Sequence, residues 1–489
     1  MFAARSFTKL FALTDSSGPR VWLITAIVVG LFAVVAYIAH ESDDQSELVE
    51  KLSRKLDSPA SVIPRSEQPT DVVRVTPTVV AQKDVLPGSW VLQKEDKPRP
   101  RLILPFASLE DGPSAIETAG ETSAEHVNEE GFLGADACAD CHQTRHSSFL
   151  LTAHHRTSGP ATTNHILGSL DSPDNQLTTS DSDLAVTMHT KGDSVVQQVS
   201  LDDWSVDVPM DVITGSGKVA QTFLYWDEDR LFQSFASYFS GADRWLTSPG
   251  FEDLDANYGR VIRTECLECH VTFIEQTEPP NHYQPSSAVW GISCERCHGP
   301  GKAHVEYHVA NPQSKTAEHI VHPNELPRER QLDICGQCHS GSFDFKKPAF
   351  SFRPGDDLSK FHHTLKPDFD DSGIHTSNQL ARLRMSDCFI HSEMTCTACH
   401  DPHVAQRGDE AFFRQACLNC HETEHCGMRP ELPADVADQC VQCHMPSTQI
   451  DDLAGMKLQG LTLSMADHFI RVDREHAKKI KDQTTDSTK

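Results

Sequence analysis

The sequence predicts an α+β protein: a loop-rich, mostly helical core with an inserted antiparallel β-sheet, preceded by one N-terminal transmembrane helix. Three observations predict it: seven copies of the motif Cys-x-x-Cys-His, a β-like stretch between the first two copies, and an apolar run at 21–39. The predicted organisation is a cytoplasmic N-terminus at 1–20, an anchor at 21–39, a disordered linker at 40–130, the main domain at 131–472 with its β-rich insertion at 183–250, and a disordered tail at 473–489.

The repeated motif is the attachment signature of c-type haem. Two Cys thiols add to the vinyl groups of one porphyrin, and the next residue, His, becomes the proximal iron ligand. The seven copies therefore predict seven covalently bound haem c groups. The predicted attachment residues are Cys138, Cys141, Cys266, Cys269, Cys294, Cys297, Cys335, Cys338, Cys396, Cys399, Cys417, Cys420, Cys440 and Cys443. The predicted proximal ligands are His142, His270, His298, His339, His400, His421 and His444.

A zinc protein is the alternative, because paired Cys-x-x-Cys also supplies zinc thiolates. Zinc ribbons do not require His directly after the second Cys, yet all seven pairs have it. A thioredoxin-like redox motif would occur once, beside a strand–helix pattern. The pattern therefore favours haem.

Six of the motifs fall between Cys266 and His444, about 30 residues per motif. Only 38% of the chain is hydrophobic, so this segment cannot build an ordinary side-chain core. We expect the macrocycles to form the core, since each contributes a large apolar surface. The short spacings leave room for one short helix or loop per haem, which places neighbouring haems close enough for electron transfer.

The β-rich insertion is predicted from short β-branched and aromatic runs bounded by Gly, Asp and Ser, such as 194–201 and 221–226. These runs predict one antiparallel sheet of about four to six strands.

The run at 21–39 is 19 residues long and uncharged, which is just enough to span a membrane. Basic residues precede it and acidic residues follow it, so the positive-inside rule places the haem domain outside the cytoplasm. We therefore expect a single-pass protein of the inner membrane with a periplasmic haem domain. A cleaved signal peptide ending at Ala36 or Ala39 is the alternative. In the linker, Pro, Ser and acidic residues dominate without apolar periodicity, which predicts disorder.

The net charge of −27 makes nucleic acid a poor partner. A basic redox protein could dock on such a surface; the acidity could also serve solubility alone. Two of the 16 Cys, Cys388 and Cys426, lie outside the motifs. An oxidising compartment favours a disulfide between them, the alternative being two unrelated thiols.

Each iron needs a decision about its second axial position. A His there gives a closed electron carrier, whereas an open position permits substrate chemistry. The predicted distal ligands are His154, His304, His375, His403 and His468. The second choices are His146, His155, His308 and His425. Met385, Met394, Met428 and Met445 are further candidates, for which core packing is favoured.

Several stretches resemble cytochrome c-554-type multihaem proteins. They are Ser148–His154 after the first motif, Gly-Pro-Gly-Lys-Ala-His304 after the third, Asp-Pro-His403 after the fifth, and Cys440–Pro446 with Asp467-His468-Phe-Ile-Arg471 at the end. The resemblance covers about residues 131–472 and implies a multihaem cytochrome c core. Cys388 and His375 also stand where such proteins often carry Cys and His.

The resemblance is less specific for a reaction, because the wider superfamily includes electron carriers, ammonifying nitrite reductase and hydroxylamine oxidoreductase. The Cys-x-x-Cys-Lys motif typical of that nitrite reductase does not occur here. We expect an electron carrier between a quinol-linked or periplasmic donor and a redox partner, and we assign no catalytic residue. The alternative is an oxidoreductase that acts on a small nitrogen or sulfur oxyanion at one open haem. The side chains that could position the anion are Arg263, Arg296, Lys302, Tyr307 and His308.

Overall fold

The computed structural model describes Asn128 and residues 131–486, and before them two short strands, β1 (Val85–Leu86) and β2 (Trp90–Val91). Residues 181, 183, 202–203, 252–255, 257, 342–343, 364–373, 375, 451, 454–455 and 459 are outside this description. The predicted N-terminus, the anchor, most of the linker and the candidate ligand His375 therefore lie outside the described residues. Within them, no helix has the length and apolar character needed to cross a membrane.

Most strands lie between the first and third motifs. They are β3 (Ser158–Pro160), β4 (Gln176–Leu177), β5 (Leu184–Lys191), β6 (Ser194–Leu201), β7 (Trp204–Pro209), β8 (Val212–Thr214), β9 (Ala220–Asp227), β10 (Arg230–Phe239), β11 (Arg244–Thr247), β12 (Val271–Phe273), β13 (Gln276–Glu278), β14 (His282–Tyr283) and β15 (Val289–Trp290). Near the C-terminus follow β16 (Ser447–Ile450), β17 (Asp452–Leu453), β18 (Met456–Lys457) and β19 (Leu463–Ala466).

The insertion contains two antiparallel sheets, not the single sheet of four to six strands that was predicted. One has seven strands in the order β13-β14-β10-β9-β8-β3, with β11 also paired to β10. The other has four strands in the order β4-β5-β6-β7. The short strands at 158–160 and 176–177 lack the alternating pattern from which strands are recognised, and they extend the sheet region beyond the predicted start at residue 183.

The two sheets share one apolar core, which we call the β-sandwich core. Along β5, Leu184, Val186 and Met188 point inward while the intervening residues are more exposed. These side chains pack in one cluster with Phe223 and Phe235 of the larger sheet. The alternating pattern of the smaller sheet thus has its expected result, one buried face.

Strand β10 is buried on both faces. Its Phe235 faces the β-sandwich core, whereas Leu231 packs in a second cluster with Leu267 and Val271 around the second motif. The second motif therefore packs against the larger sheet.

Helices elsewhere are short, the two longest having 12 and 13 residues. They are α1 (Gln143–Phe149), α2 (Thr264–Leu267), α3 (Glu295–His298), α4 (Lys302–Ala310), α5 (Arg328–His339), α6 (Gln379–Leu383), α7 (Asp387–Ile390), α8 (Glu410–Leu418), α9 (Ala434–Ala437), α10 (Cys440–His444) and α11 (Arg474–Asp486). The described chain divides into two units: Glu306–Thr316 forms one, and the other described residues form the second.

The predicted disordered tail at 473–489 is wrong for most of its length, because α11 occupies Arg474–Asp486. Asp473 caps this helix by accepting a hydrogen bond from the backbone N–H of His476 at 2.9 Å. The helix is held to α10 by His476 Nε2, which lies 2.9 Å from the carbonyl oxygen of Gln442. A capping residue before a run of helix formers was the sequence signal that the prediction overlooked.

Candidate multihaem site

At least four motifs form a tight helical turn, which places the first Cys and the His on the same side of the backbone. The backbone N–H of the motif His donates to the carbonyl oxygen of the first Cys at 2.9 Å in His142 and His298, and at 3.0 Å in His400 and His421. One helical turn separates the two side chains. The turn therefore presents thiols and imidazole to one ligand face, as haem attachment requires. We number the sites 1 to 7 in the order of their motifs.

Three motif histidines face a second histidine at a common distance. The ring centres are 6.3 Å apart for His339 and His154, 6.2 Å for His298 and His403, and 6.4 Å for His400 and His468. Two imidazoles that bind one metal ion at about 2.0 Å each have ring centres roughly 6 Å apart. The spacing fits two axial ligands on opposite sides of a haem iron at sites 3, 4 and 5.

In these pairs, burial of His154, His339 and His468 lowers the pKa and favours the neutral imidazole, which is the form that binds iron. The pKa of His154 and of His468 is lowered to about 4, first by desolvation and then by the neighbouring His400 and His339. Burial also lowers the pKa of His339. A neutral ring keeps a lone pair for a metal, which a protonated ring does not.

Hydrogen bonds at Nδ1 orient most of these rings and leave Nε2 for iron. Four motif histidines have such a bond. Nδ1 of His270 lies 2.8 Å from Thr157 Oγ1, and Nδ1 of His298 lies 2.9 Å from Val321 O. Nδ1 of His339 lies 3.0 Å from Gln379 Oε1, and Nδ1 of His444 lies 3.0 Å from Arg471 O. Among the distal candidates, Nδ1 of His304 bonds to Glu318 O, that of His403 to Asp401 Oδ1 and that of His468 to Ala466 O, at 2.7, 2.9 and 3.2 Å.

The segment 154–158, just before and at the start of β3, serves two sites at once. It carries His154 to site 4, and Thr157 bonds His270 of site 2. Ser158 Oγ donates to the carbonyl oxygen of His270 at 2.6 Å. Gly291 has a positive φ of 68°, and a Cβ there would overlap the carbonyl oxygen of His155, so glycine is needed for this close approach.

The cysteines of different motifs lie beside one another. The neighbouring pairs are Cys138 and Cys294, Cys269 and Cys338, Cys335 and Cys396, and Cys417 and Cys440. Cys399 also lies near Cys420, and Cys297 lies near Cys338. The seven attachment segments therefore form an unbroken series of neighbours, in which site 4 adjoins sites 2, 3 and 5.

Buried Glu295, inside the third motif, fixes the first of these contacts. Its carboxylate accepts backbone hydrogen bonds from Leu133, Gly134 and Gly301, each at 2.8 Å. Burial raises the pKa of Glu295 although these hydrogen bonds oppose the shift. Since Gly134 leads directly into the first motif, Glu295 joins sites 1 and 3.

Two side chains predicted to position an anion are instead paired. Arg296 is 4% exposed and donates to Glu268 Oε1 at 3.4 Å, and Arg263 bonds Glu265 at 3.2 Å. Burial raises the pKa of Glu268, whereas the charge of Arg296 and its hydrogen bond act to lower that pKa. His362, 1% exposed, lies 4.0 Å from Glu268. Sequence reasoning did not single out His362, because no motif or spacing marks it.

The second-choice histidines lie in mixed surroundings. His146 Nε2 lies 3.2 Å from Asp136, His425 lies 3.6 Å from Glu422 at the surface, and the ring of His308 contacts Tyr307. His155 contacts Phe149, and its buried Nδ1 has no protein partner in the described chain. Met394 packs with the Leu332 cluster, in line with the core role favoured for the methionines.

The predicted Cys388–Cys426 disulfide is wrong, because both residues are free thiols. Each lies beside a different attachment segment: Cys388 neighbours Cys399 and Cys420, whereas Cys426 neighbours Cys443. No group of three His, Cys, Asp or Glu side chains converges as a metal cluster among the described residues. A haem iron needs only two protein ligands, and the three histidine pairs have a spacing that fits two such ligands.

A family model described as cytochrome c554 and c-prime matches residues 233–299, which include the second and third motifs. The match confirms the resemblance to multihaem c-type cytochromes and implies covalently bound haem c. Two solved structures are similar. The outer cell wall cytochrome OcwA is 18% identical, with 71% of this chain and 81% of that chain covered and a TM-score of 0.45. The undecahaem cytochrome from the S-layer of Carboxydothermus ferrireducens is 16% identical, with 69% and 53% covered and a TM-score of 0.32. No curated protein matches the chain.

Proposed function

We propose that this chain, a multihaem c-type cytochrome, is a membrane-anchored periplasmic electron-transfer protein with seven haems. The observation that carries the proposal is the unbroken series of neighbouring attachment segments from site 1 to site 7. Bound haem supplies one-electron chemistry at its iron. Segments held this close together suit electron movement between sites, and a single reaction centre would not need all of them.

The ligand assignment of the proposal is residue by residue. The fourteen motif cysteines form the thioether bonds, and the seven motif histidines are the proximal ligands. His154 is the distal ligand at site 4, His403 at site 3 and His468 at site 5, supported by the ring spacings. His304 and His375 are proposed as distal ligands of further sites, with Glu318 orienting the ring of His304.

Closed coordination is tested by EPR and optical spectra of the purified, haem-loaded protein. We expect seven haems by mass spectrometry and low-spin signals for sites 3, 4 and 5. Replacing His468 with Ala should convert one low-spin haem to high spin, whereas His189→Ala on β5 is the matched control and should change nothing. An unchanged spectrum in the His468 variant would remove it from the ligand set.

The same spectra distinguish the electron carrier from the oxidoreductase alternative. A high-spin signal in the unmodified protein that shifts on addition of nitrite, hydroxylamine or cyanide would identify an open iron and overturn the pure carrier role. Complete reduction by a quinol analogue and reoxidation by a partner cytochrome, without turnover of nitrite or hydroxylamine, would support the carrier role.

The proposed anchor at 21–39 places the haem domain on the periplasmic side of the inner membrane. Its support is the uncharged run with basic residues before it and acidic residues after it. We expect the full chain in the membrane fraction and a chain that starts after residue 40, exported by a cleavable signal, in the soluble periplasmic fraction. Recovery of full-length haem protein in the soluble fraction would contradict the anchor.

A further inference from the structure

Asp467 lies at the centre of a buried ion cluster directly before the distal candidate His468. It is 1% exposed, and Arg382, which pairs with it, is 2% exposed. Arg382 binds both carboxylate oxygens, with Nε 2.9 Å from Oδ1 and a guanidinium nitrogen 2.7 Å from Oδ2. Arg471 donates to Oδ2 at 2.6 Å. Such charge-assisted, bidentate bonds fix orientation more firmly than single neutral hydrogen bonds.

The first arm of this cluster reaches site 4. Arg382 belongs to α6, which begins at Gln379. The side-chain oxygen of Gln379 accepts the Nδ1 hydrogen bond of His339 at 3.0 Å, while its amide nitrogen donates to Thr376 O at 2.9 Å. The position of α6 therefore sets the rotation of the His339 ring.

The second arm holds the turn that carries His468 at site 5. Asp467 Oδ1 accepts the backbone N–H of Phe469 at 3.0 Å. Ser386, just after α6, donates to the carbonyl oxygen of His468 at 3.3 Å and accepts the N–H of Ile470 at 2.8 Å. The residues on both sides of His468 are thus fastened to the α6–α7 segment.

The third arm reaches site 7. The backbone of Arg471 donates to the carbonyl oxygen of His444 at 3.1 Å and accepts from His444 Nδ1 at 3.0 Å. The side chain of the same arginine ends on Asp467. A shift of Asp467 would therefore be transmitted to His444.

Stability alone does not account for this arrangement. A buried ion cluster is often replaceable by apolar residues with little loss of stability. This cluster joins three separate chain segments, each of which holds or orients an iron-binding histidine. Its most specific effect is on geometry.

We propose that Asp467 is a positioning residue that holds the histidines of sites 4, 5 and 7 in one arrangement. The proposal rests on the proposed haem-binding function. It assigns to one carboxylate a role at three sites whose motifs lie up to 105 positions apart, Cys335 to Cys440. Asp467 acts through Arg382, Arg471 and the backbone N–H of Phe469.

The test is the Asp467→Asn variant of the full, haem-loaded chain, followed by EPR. The EPR signals are first assigned with His154→Ala for site 4, His468→Ala for site 5 and Cys440→Ala for site 7. We expect seven attached haems, with displaced g-values at sites 5 and 7, a smaller displacement at site 4 and none at site 3. Asp467→Glu, which keeps the charge, should restore most of the original spectrum. Asp211→Asn, a matched change in the β-sheets, should leave all signals in place.

Unchanged g-values, or a change confined to site 5, would overturn the shared positioning role. If Asp467→Asn does not accumulate, Arg471→Gln tests the third arm alone: displacement at site 7 supports the proposal, and an unchanged site 7 signal contradicts it. Failure of the wild-type chain to carry seven haems would instead sink the proposed function, so the two failures are distinguishable.

Discussion

The β-sandwich and the C-terminal attachment region differ in what fills their interiors. The sandwich buries a large side-chain cluster that includes Trp245, Phe235 and Tyr258. Between residues 391 and 486, the buried hydrophobic residues among those described are Val436, Ile450 and Leu458. In that region Val404, Phe412 and Val472 are 42%, 37% and 75% exposed. Such surface beside the motifs is suited to contact with porphyrin, since apolar surface left in water costs free energy.

We therefore expect the two regions to depend on haem to different degrees. One is stabilised by its own side chains, and we expect the other to be stabilised by attached haem. The family match at 233–299 covers strands β11 to β15, most of β10, and the second and third motifs, and it lies outside the C-terminal attachment region.

Withholding haem should produce the largest difference in stability between the two regions. In cells that lack the haem-attachment machinery, we expect residues 158–290 to resist limited proteolysis while residues 391–486 are digested. The physical reason is the small side-chain core of the C-terminal region. Mass spectrometry of the fragments measures the outcome, and equal protection of both regions would show that haem is not the principal core of the second.

Trp245→Ala should destabilise the β-sandwich by about 3–5 kcal/mol, because a large buried aromatic leaves a cavity. Trp245 packs against Phe223 and Tyr238 and donates from Nε1 to Ser169 O at 3.0 Å. Thermal unfolding of the loaded protein measures the loss, with the haem spectra unchanged. The control Lys218→Ala, on an exposed side chain between β8 and β9, should cost less than about 0.5 kcal/mol.

Glu295→Gln should weaken the connection between sites 1 and 3. An amide cannot supply the charge-assisted acceptors that Glu295 gives to three backbone N–H groups. We expect a loss of about 1–3 kcal/mol, seen as lower hydrogen-exchange protection around residues 131–134. Glu278→Gln, on an exposed edge strand, serves as the control, and an equal effect in both variants would exclude a specific role for Glu295.

Asp211→Asn should give an effect that is confined to acidic pH and has a characteristic pH dependence. Burial raises the pKa of Asp211 to about 6, opposed by a hydrogen bond from the N–H of Trp226. A raised folded-state pKa means that the sandwich loses stability as pH rises from about 4 to about 6, by at most about 3 kcal/mol. Asn should abolish that slope, and urea unfolding at several pH values checks it; an unchanged slope would assign it to another group.

The local part of the site could be predicted from sequence, whereas its assembly could not. The motif geometry follows from one helical turn, and His154, His403 and His468 stand out by their spacing and by the family resemblance. Their partners do not, because His154 meets His339 across 185 positions of chain. Thr157, Gln379 and Glu295 escaped prediction for the same reason: their partners are neighbours only in the folded chain.

Fold prediction failed where local signals were weak or misleading. The alternating strands β5 and β6 were recognisable, but the three-residue β3 was not. Composition suggested disorder after residue 472, where the cap at Asp473 and the contact with Gln442 stabilise a helix. Two spare cysteines suggested a bridge, but both are free thiols beside different attachment segments.

The three histidine pairs have a topological consequence for the opened chain. They join residues 185, 105 and 68 positions apart, and the span from His298 to His403 overlaps both other spans. Ligation across each pair would close a long loop and remove conformational entropy from the unfolded ensemble, as a cross-link does. Because the loops interlock, releasing one leaves its residues restrained by the next, so residues 154–468 should unfold as one cooperative unit.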